Sequence, residues 1–134
     1  MVKLTARERL AAGDPPAVYT LDDAKAARLK GRTMLIPSPM QVRDAIAAIP
    51  VGQSKTFGQL RADLARDSGA DVTCPFAAGV FWRVVAEAAE EDRAEGATEV
   101  TPWWRVTRDG KPNPKLPGGE SRHRELLGEE GIKI

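Results

Sequence analysis

Residues 56–91, TFGQLRADLARDSGADVTCPFAAGVFWRVVAEAAEE, decide the fold of this chain. Residues 56–66 are predicted to form a helix because two leucines four residues apart share one of its faces. A loop over residues 67–75 separates it from an apolar helix over residues 76–91. Two helices joined by a short connector, the second rich in apolar and aromatic residues, are typical of a helix-turn-helix.

The following and preceding segments extend this unit to a mainly α domain over residues 38–134. The further predicted elements are a helix over residues 40–49, a small β element around residues 100–107, a tight turn at residues 107–110 and a last helix over residues 121–127. The turn is predicted because Gly110 can adopt the positive φ that it requires.

Residues 1–37 are predicted to form an N-terminal helical extension. Its first helix covers residues 5–12, with Thr5 and Glu8 spaced as a capping box. The second covers residues 21–30, with Thr20 as its N-cap. The extension has few large apolar residues, so we expect it to pack on the main domain rather than to form its own core.

Composition limits the function classes. The chain has 134 residues and a net charge of +1, with one cysteine, Cys74, and one histidine, His123. These counts exclude an internal disulfide and a four-ligand Cys/His zinc site, and we expect no metal and no cofactor. No apolar run is long enough for a membrane span, and the first four residues show no signal-peptide pattern. We therefore expect a cytoplasmic monomer that does not bind membranes.

The small net charge conceals two segments of opposite sign. Residues 87–99 carry −5, which predicts a solvated helix end and loop, and residues 103–124 carry +4. Weak, local and salt-sensitive contact with nucleic acid is therefore compatible with near-neutrality.

Four segments in fixed order carry a family resemblance. They are Ile49-Pro50-Val51-Gly52, Thr56-Phe57-Gly58-Gln59-Leu60, Pro102-Trp103-Trp104-Arg105-Val106 and Glu130-Gly131. Residues 39–134 resemble the DNA-binding domain of methylated-DNA-protein cysteine methyltransferases, and more closely the alkyltransferase-like proteins, which lack the acceptor cysteine. The resemblance implies a winged-helix-like helix-turn-helix domain that binds double-stranded DNA.

The resemblance also implies that alkyl transfer is absent. In the methyltransferases a Pro-Cys-His-Arg motif supplies an acceptor thiolate and a histidine base, which a glutamate holds. Trp103 stands at the cysteine position, Trp104 stands at the histidine position, and Glu130 matches the glutamate. Because an indole does not accept alkyl groups at useful rates, we expect no enzyme activity and no catalytic residue.

Alkyltransferase-like proteins read alkylated guanine by flipping it into a pocket from the minor groove, and they mark it for nucleotide-excision repair proteins. By resemblance, Phe57 presses on the phosphate beside the target nucleotide, Arg83 fills the gap in the base stack, and Trp103 lines the pocket. The residues implied for DNA binding are Phe57, Gln59, Arg83 and Ser121. The residues implied for the lesion pocket are Trp103, Trp104, Arg105, Gly118 and Gly119.

Alternatives remain open for these residues and for the function. Phe57 could be a core aromatic, Arg83 an ordinary surface arginine, Ser121 a helix cap, and the two tryptophans a hydrophobic cluster. Arg105 is expected to bond backbone carbonyl groups. The alternative functions are a degenerate domain that binds proteins and residual alkyl transfer through Cys74.

Overall fold

The structure, a computed structural model, describes residues 4–134. Its helices are α1 (Ala6–Ala12), α2 (Asp23–Leu29), α3 (Pro39–Ala47), α4 (Phe57–Asp67), α5 (Pro75–Ala94) and α6 (Gly119–Glu129), with a 3₁₀ turn at Trp103–Arg105. Its strands are β1 (Ala17–Thr20), β2 (Thr33–Ile36), β3 (Lys55–Thr56), β4 (Val72–Thr73) and β5 (Val106–Thr107). The prediction of a mainly α fold with a small β element is confirmed. The first three residues of the predicted extension lie outside the described part.

The central helices α3, α4 and α5 lie where the sequence predicts them. Ser38 and Gln41 form a capping box at the start of α3, and Thr56 and Gln59 form another at the start of α4. Pro75 occupies the first turn of α5. A proline is tolerated there because the backbone N–H that it lacks would have no acceptor within the helix. The core combines apolar side chains from all three helices: Val42, Ile46, Leu60, Leu64, Trp82 and Val85. This core fixes the position of α5 against α4.

Two small sheets join distant parts of the chain. One has the strand order β1-β2-β4, in which β1 and β2 are antiparallel and β2 and β4 are parallel. The other pairs β3 and β5 in parallel, with Lys55 opposite Val106. The β element expected around residues 100–107 is therefore confined to β5, because the preceding residues form the 3₁₀ turn.

The extension is only partly helical, so the prediction of a helical segment over residues 1–37 is wrong in this respect. Strands β1 and β2 were missed because four-residue strands carry little periodicity of their own. Their stability comes from pairing: β2 pairs with β1 on one side and with β4 on the other. Strand β4 lies almost 40 residues further along the chain than β2. Helix α1 and its capping box at Thr5 are as predicted.

Helix α2 begins later than predicted because Thr20, its predicted N-cap, belongs to strand β1 and Asp22 takes over the cap. Thr20 pairs with Thr33, and Asp22 caps the helix by accepting a hydrogen bond from the Lys25 amide at 2.8 Å. The helix ends at Lys30, which takes the left-handed conformation. The following Gly31 packs closely on the β4 strand region, where an added Cβ would lie 2.7 Å from Cβ of Asp71.

Helix α1 packs on α5 and neutralises part of the acidic segment. Glu91 accepts hydrogen bonds from the backbone amides of Ala6 and Arg7, at 2.8 and 3.1 Å. Arg7 forms two hydrogen bonds to Glu95, at 2.7 and 2.6 Å. The expectation of a solvated helix end and loop holds for Glu95, whose side chain is 62% exposed, whereas Glu91 is half-buried against the N-terminus of α1.

Within residues 4–134, no helix is both long enough and apolar enough to span a bilayer. The same residues contain no group of three or more histidine, cysteine or acidic side chains that could hold a metal ion.

Candidate nucleic-acid interface

Trp103, Trp104, Arg105 and Glu130 form what we call the tryptophan cluster. Glu130 Oε2 accepts a hydrogen bond from Trp104 Nε1 at 2.7 Å and another from Arg105 Nη2 at 2.9 Å. Its other oxygen, Oε1, accepts from Arg105 Nε at 2.9 Å and from the Gly52 amide at 3.0 Å. Glu130, which matches the family glutamate, therefore binds an indole, a guanidinium and a backbone amide in place of an imidazole.

The tryptophan cluster is largely buried and its charges are matched. The side chains of Arg105 and Glu130 are each only 11% exposed. Burial raises the pKa of Glu130, but the hydrogen bonds from Arg105, Gly52 and Trp104 outweigh it and keep this pKa below its ordinary value. Arg105 also donates from Nη1 to the Ile49 carbonyl at 2.7 Å, which agrees with the expectation of a backbone contact. These residues stabilise the junction between the 3₁₀ turn and the end of α6.

Trp103 lies in the core with none of its surface exposed. Its indole Nε1 donates to Glu90 Oε2 at 3.3 Å, and its carbonyl accepts from Trp82 Nε1 at 3.0 Å. Its ring meets that of Trp104 edge-on, with centroids 5.8 Å apart. This geometry corresponds to the hydrophobic cluster that was the alternative for Trp103, and its role in a lesion pocket stays a prediction.

His123 connects the tryptophan cluster to the loop that precedes α6. Nδ1 accepts a hydrogen bond from the Asn113 amide at 3.0 Å. The proton must then be on Nε2, which lies 2.9 Å from the Trp104 carbonyl and donates to it. Burial lowers the pKa of His123. Sequence reasoning used this residue only to exclude zinc, and no local motif signals its position.

Gly118, Gly119 and Ser121 lie at the start of α6. Gly118 has a φ of 81° and is the N-cap, and a Cβ there would lie 2.5 Å from Cβ of Arg122. Ser121 is exposed within the first turn, so the expectation that it caps this helix is wrong. Its predicted contact with DNA, and the predicted place of the two glycines at the lesion pocket, stay predictions.

Phe57 stacks on Trp82 and is half-buried. The two rings are 5.6 Å apart with an angle of 16° between their planes, and the Arg61 guanidinium lies 5.9 Å from the Phe57 centroid. Phe57 thus both packs on the core and faces a surface pocket. The two interpretations of Phe57, core aromatic and DNA contact, are geometrically compatible.

This surface pocket, which we call the cationic pocket, lies between α5, the start of α4 and the loop before α6. Its volume is about 380 Å³. Its aromatic lining residues are Phe57, Phe76 and Trp82, its charged ones are Arg83, Arg108 and Lys115, and Gly79, Asn113 and Leu116 also line it. Among the described residues that line it, none is acidic. A pocket with flat apolar walls and a positive rim suits a planar ring that is attached to an anionic backbone.

Arg83 and Gln59 occupy different surroundings. Arg83 is exposed at the rim of the cationic pocket and donates from Nε to Glu87 Oε1 at 2.9 Å. Glu87 also pairs with Arg9 of α1 at 2.7 Å. Gln59 is exposed, and its side chain accepts a hydrogen bond from the Thr56 amide at 2.8 Å. Phe57 and Arg83 thus line one pocket, whereas Gln59 serves as part of a helix cap.

Several residues of the cationic pocket were not singled out from the sequence. They are Phe76, Gly79, Arg108, Asn113, Lys115 and Leu116. The positive segment at residues 103–124 gave a signal for Arg108 and Lys115, but their meeting with α5 depends on the tertiary fold.

No protein-family model matches the chain, and no curated protein matches it significantly. Among solved structures, the chain is similar to the crystal structure of S. pombe Atl1 in complex with damaged DNA that contains O6-carboxymethylguanine. The two chains are 26% identical, the match covers 72% of this chain and 77% of that chain, and the TM-score is 0.44.

Proposed function

We propose that this protein is a non-enzymatic, alkyltransferase-like sensor that binds double-stranded DNA, flips alkylated guanine and marks it for repair proteins. The cationic pocket is the observation that carries this proposal. It combines three aromatic walls with three cations, and no acidic residue lies among its described lining residues. A flipped base needs an aromatic surface on which to stack, and the phosphates beside it need positive charge.

The position of the pocket on the fold supports contact with a duplex. It lies beside the N-terminal half of α5, which is the second helix of the helix-turn-helix and the element that enters a groove in proteins of this type. Its volume of about 380 Å³ falls in the range of small-molecule sites. Selectivity for a lesion would come from the fit of the base, since the net charge of +1 supplies little long-range attraction.

The absence of alkyl transfer rests on the tryptophan cluster. The positions of the family cysteine and histidine hold Trp103 and Trp104, whose N–H groups donate to Glu90 and Glu130. Neither side chain offers a nucleophile or a base, and Glu130 is already bonded to Arg105. The chemistry needed to accept an alkyl group is therefore missing from the matching positions.

Binding to two short duplexes that differ only in O6-methylguanine or guanine tests this function. We expect tighter binding to the O6-methylguanine duplex, and a steep fall of log K with log salt for both duplexes. Equal affinity for the two duplexes would overturn lesion recognition but leave DNA binding in place. If neither duplex binds, the protein-interaction alternative is favoured. A duplex with O6-carboxymethylguanine extends the lesion panel.

A radiolabelled methyl group on the guanine tests the non-enzymatic part. We expect all label to stay on the DNA. Label that moves to the wild-type protein, but not to the Cys74→Ser variant, would instead establish residual transfer through the free thiol.

A further inference from the structure

Phe76 is the most exposed large apolar side chain of the cationic pocket. It is 80% exposed, and Val80, one helical turn further along α5, is 43% exposed. Residues four apart lie on the same face of a helix, so the two side chains form an apolar ridge at the pocket rim. Trp82 and Phe57, by contrast, are packed against each other. Within residues 4–134, no other part of the chain covers this ridge, so it stays exposed to solvent.

The ridge is held on a rigid support. Pro75 fixes the backbone immediately before Phe76, and the Cys74 Sγ accepts a hydrogen bond from the Ala77 amide at 3.5 Å. Phe76 is therefore presented from the first turn of a 20-residue helix that packs on the core. Because this backbone is already ordered, inserting the ring into a partner costs no ordering of the main chain.

The charges around the ridge identify the class of partner. Arg83, Arg108 and Lys115 line the same pocket, and no acidic residue lies among its described lining residues. A hydrophobic protein surface would gain nothing from three cations, whereas a duplex offers phosphates to the cations and stacked bases to the phenyl ring. Proteins that bend DNA from the minor groove insert apolar side chains of this kind between base steps.

Arg83 is less suited to this insertion than the sequence suggests. Its guanidinium is bonded to Glu87, which Arg9 also contacts. Filling a gap in the base stack would take Arg83 away from this carboxylate, whereas its Nη atoms can meet a phosphate while Nε stays bonded to Glu87. Phe76 has no such partner to lose, because its ring is in solvent.

We propose that Phe76 is the wedge of this protein: its ring enters the base stack beside the flipped nucleotide, while Arg83, Arg108 and Lys115 neutralise the flanking phosphates. This inference rests on the proposed function. It assigns to Phe76 the insertion that the family resemblance would give to Arg83. Arg83 instead contacts the sugar-phosphate backbone of the DNA.

Two fluorescence signals test the wedge with the full chain. The duplexes carry O6-methylguanine or guanine, with 2-aminopurine as the neighbouring base and a donor–acceptor pair at the two ends. Insertion unstacks the 2-aminopurine, which raises its emission, and kinks the duplex, which brings the ends closer. We expect Phe76→Ala to abolish both changes and to weaken binding about tenfold, the scale of one lost aromatic stack. Phe76→Leu should retain part of both signals.

Tyr19→Ala provides the matched control. Tyr19 is another exposed aromatic residue, 52% exposed, but it lies on β1 of the extension. We expect this variant to behave like the wild type. Because both rings lie in solvent, thermal unfolding should be nearly unchanged in both alanine variants.

The possible outcomes separate the two proposals. If the wild type binds and distinguishes the lesion while Phe76→Ala keeps both fluorescence changes and the wild-type affinity, the wedge is wrong and the proposed function stands. If the wild type binds neither duplex, both proposals fail. If the free wild type is a dimer that Phe76→Ala converts to a monomer, the ridge covers a second copy of the chain and the wedge is again wrong.

Discussion

The tryptophan cluster and the cationic pocket lie on either side of His123 and use their polar groups in opposite ways. In the cluster, Glu130 is bonded to Trp104, Arg105 and a backbone amide, and both charged side chains are largely buried. In the pocket, cations and an exposed phenyl ring face solvent. The residues that match the family's reactive positions are thus engaged with one another in the fold, and the pocket that we propose to bind DNA lies next to them.

This contrast follows from elementary energetics. A buried carboxylate is tolerated when hydrogen bonds and an opposite charge compensate its lost hydration, which the tryptophan cluster provides. Solvent-exposed cations and apolar groups, such as those of the cationic pocket, are tolerated at a surface but gain free energy when a complementary partner covers them. A substitution in the cluster should therefore change stability, and one in the pocket should change binding.

The largest expected effect comes from Glu130→Ala. Removing the carboxylate leaves the largely buried guanidinium of Arg105 and the Trp104 N–H without this partner, so the free energy of unfolding should fall by about 3–5 kcal/mol. Urea unfolding measures this change. At a temperature where the variant is still folded, its affinity for duplex DNA should be close to that of the wild type. A stable variant that no longer binds DNA would place Glu130 in the DNA interface. The cluster would then contribute to binding and not only to stability.

A smaller loss of stability is expected in mild acid, through His123. Its pKa is lowered in the folded state, so below the ordinary histidine value near 6.5 the unfolded chain binds a proton more readily than the folded one. Stability should therefore be full above pH 6.5 and should fall as the pH drops towards the lower, folded-state pKa. Protonation of Nδ1 would break the bond from the Asn113 amide, at the edge of the cationic pocket.

His123→Gln is the variant that tests this pH dependence. A glutamine side chain can accept from the Asn113 amide and donate to the Trp104 carbonyl, but it does not titrate. Unfolding free energies between pH 7.5 and 5 should decline less in the variant than in the wild type. Equal declines would show that the pKa of His123 is not lowered in the folded protein.

Helix positions were the part of the fold that the sequence predicted best. Capping boxes at Thr5, Ser38 and Thr56 are local signals, because the two side chains of each box lie three residues apart. Strands β1 and β2 have no comparable local signal, since their pairing with β4 depends on the tertiary fold. The contact of α1 with the acidic segment was missed for the same reason, since the Ala6 amide that Glu91 accepts from lies 85 residues away in sequence.

The candidate site was predicted unevenly, for a related reason. Phe57 and Arg83 do line a single pocket, and both were singled out because the motif around each is short and contiguous. Arg108 and Lys115 join that pocket only after the loop before α6 folds back on α5, and Phe76, although it lies on α5, belongs to none of the segments that carry the resemblance. Trp104 and Arg105 donate hydrogen bonds to Glu130, which lies far from them along the chain. Matching the family motif therefore identified the position of Glu130 but not the residues that bind it.

Charge reversal at Arg83 should weaken DNA binding without disturbing the cluster. We expect Arg83→Glu to cost about 1–3 kcal/mol of binding free energy and to reduce the slope of log K against log salt. Arg43→Glu is the matched control, since Arg43 also forms one surface ion pair, with Asp44 at 2.7 Å, and lies outside the lining of the cationic pocket. Equal losses in the two variants would indicate a general charge effect rather than a contact at the pocket.

The smallest effect, and the sharpest test of the contrast, concerns Gly79. Glycine within a helix is less favourable than alanine by about 0.5–1 kcal/mol. Packing does not require it here, because an added Cβ would meet the nearest atom, Phe57 Cζ, at an ordinary 3.8 Å. Its lack of a side chain instead keeps one wall of the cationic pocket clear. Gly79→Ala should therefore raise the free energy of unfolding by that amount while reducing the preference for O6-methylguanine over guanine.

Gly128→Ala controls for helix propensity alone. Gly128 lies in α6, and an added Cβ would find no atom within 4 Å. This variant should gain similar stability and keep the wild-type preference for the lesion, as both duplex affinities and urea unfolding would show.

A Gly79→Ala protein that is stabilised and still discriminates fully would mean that the lesion does not approach this wall. A Gly79→Ala protein that is less stable than the wild type would instead mean that α5 cannot hold a side chain at position 79 without strain. The first result would place the base elsewhere on the surface, and the second would make Gly79 a structural residue like those of the tryptophan cluster.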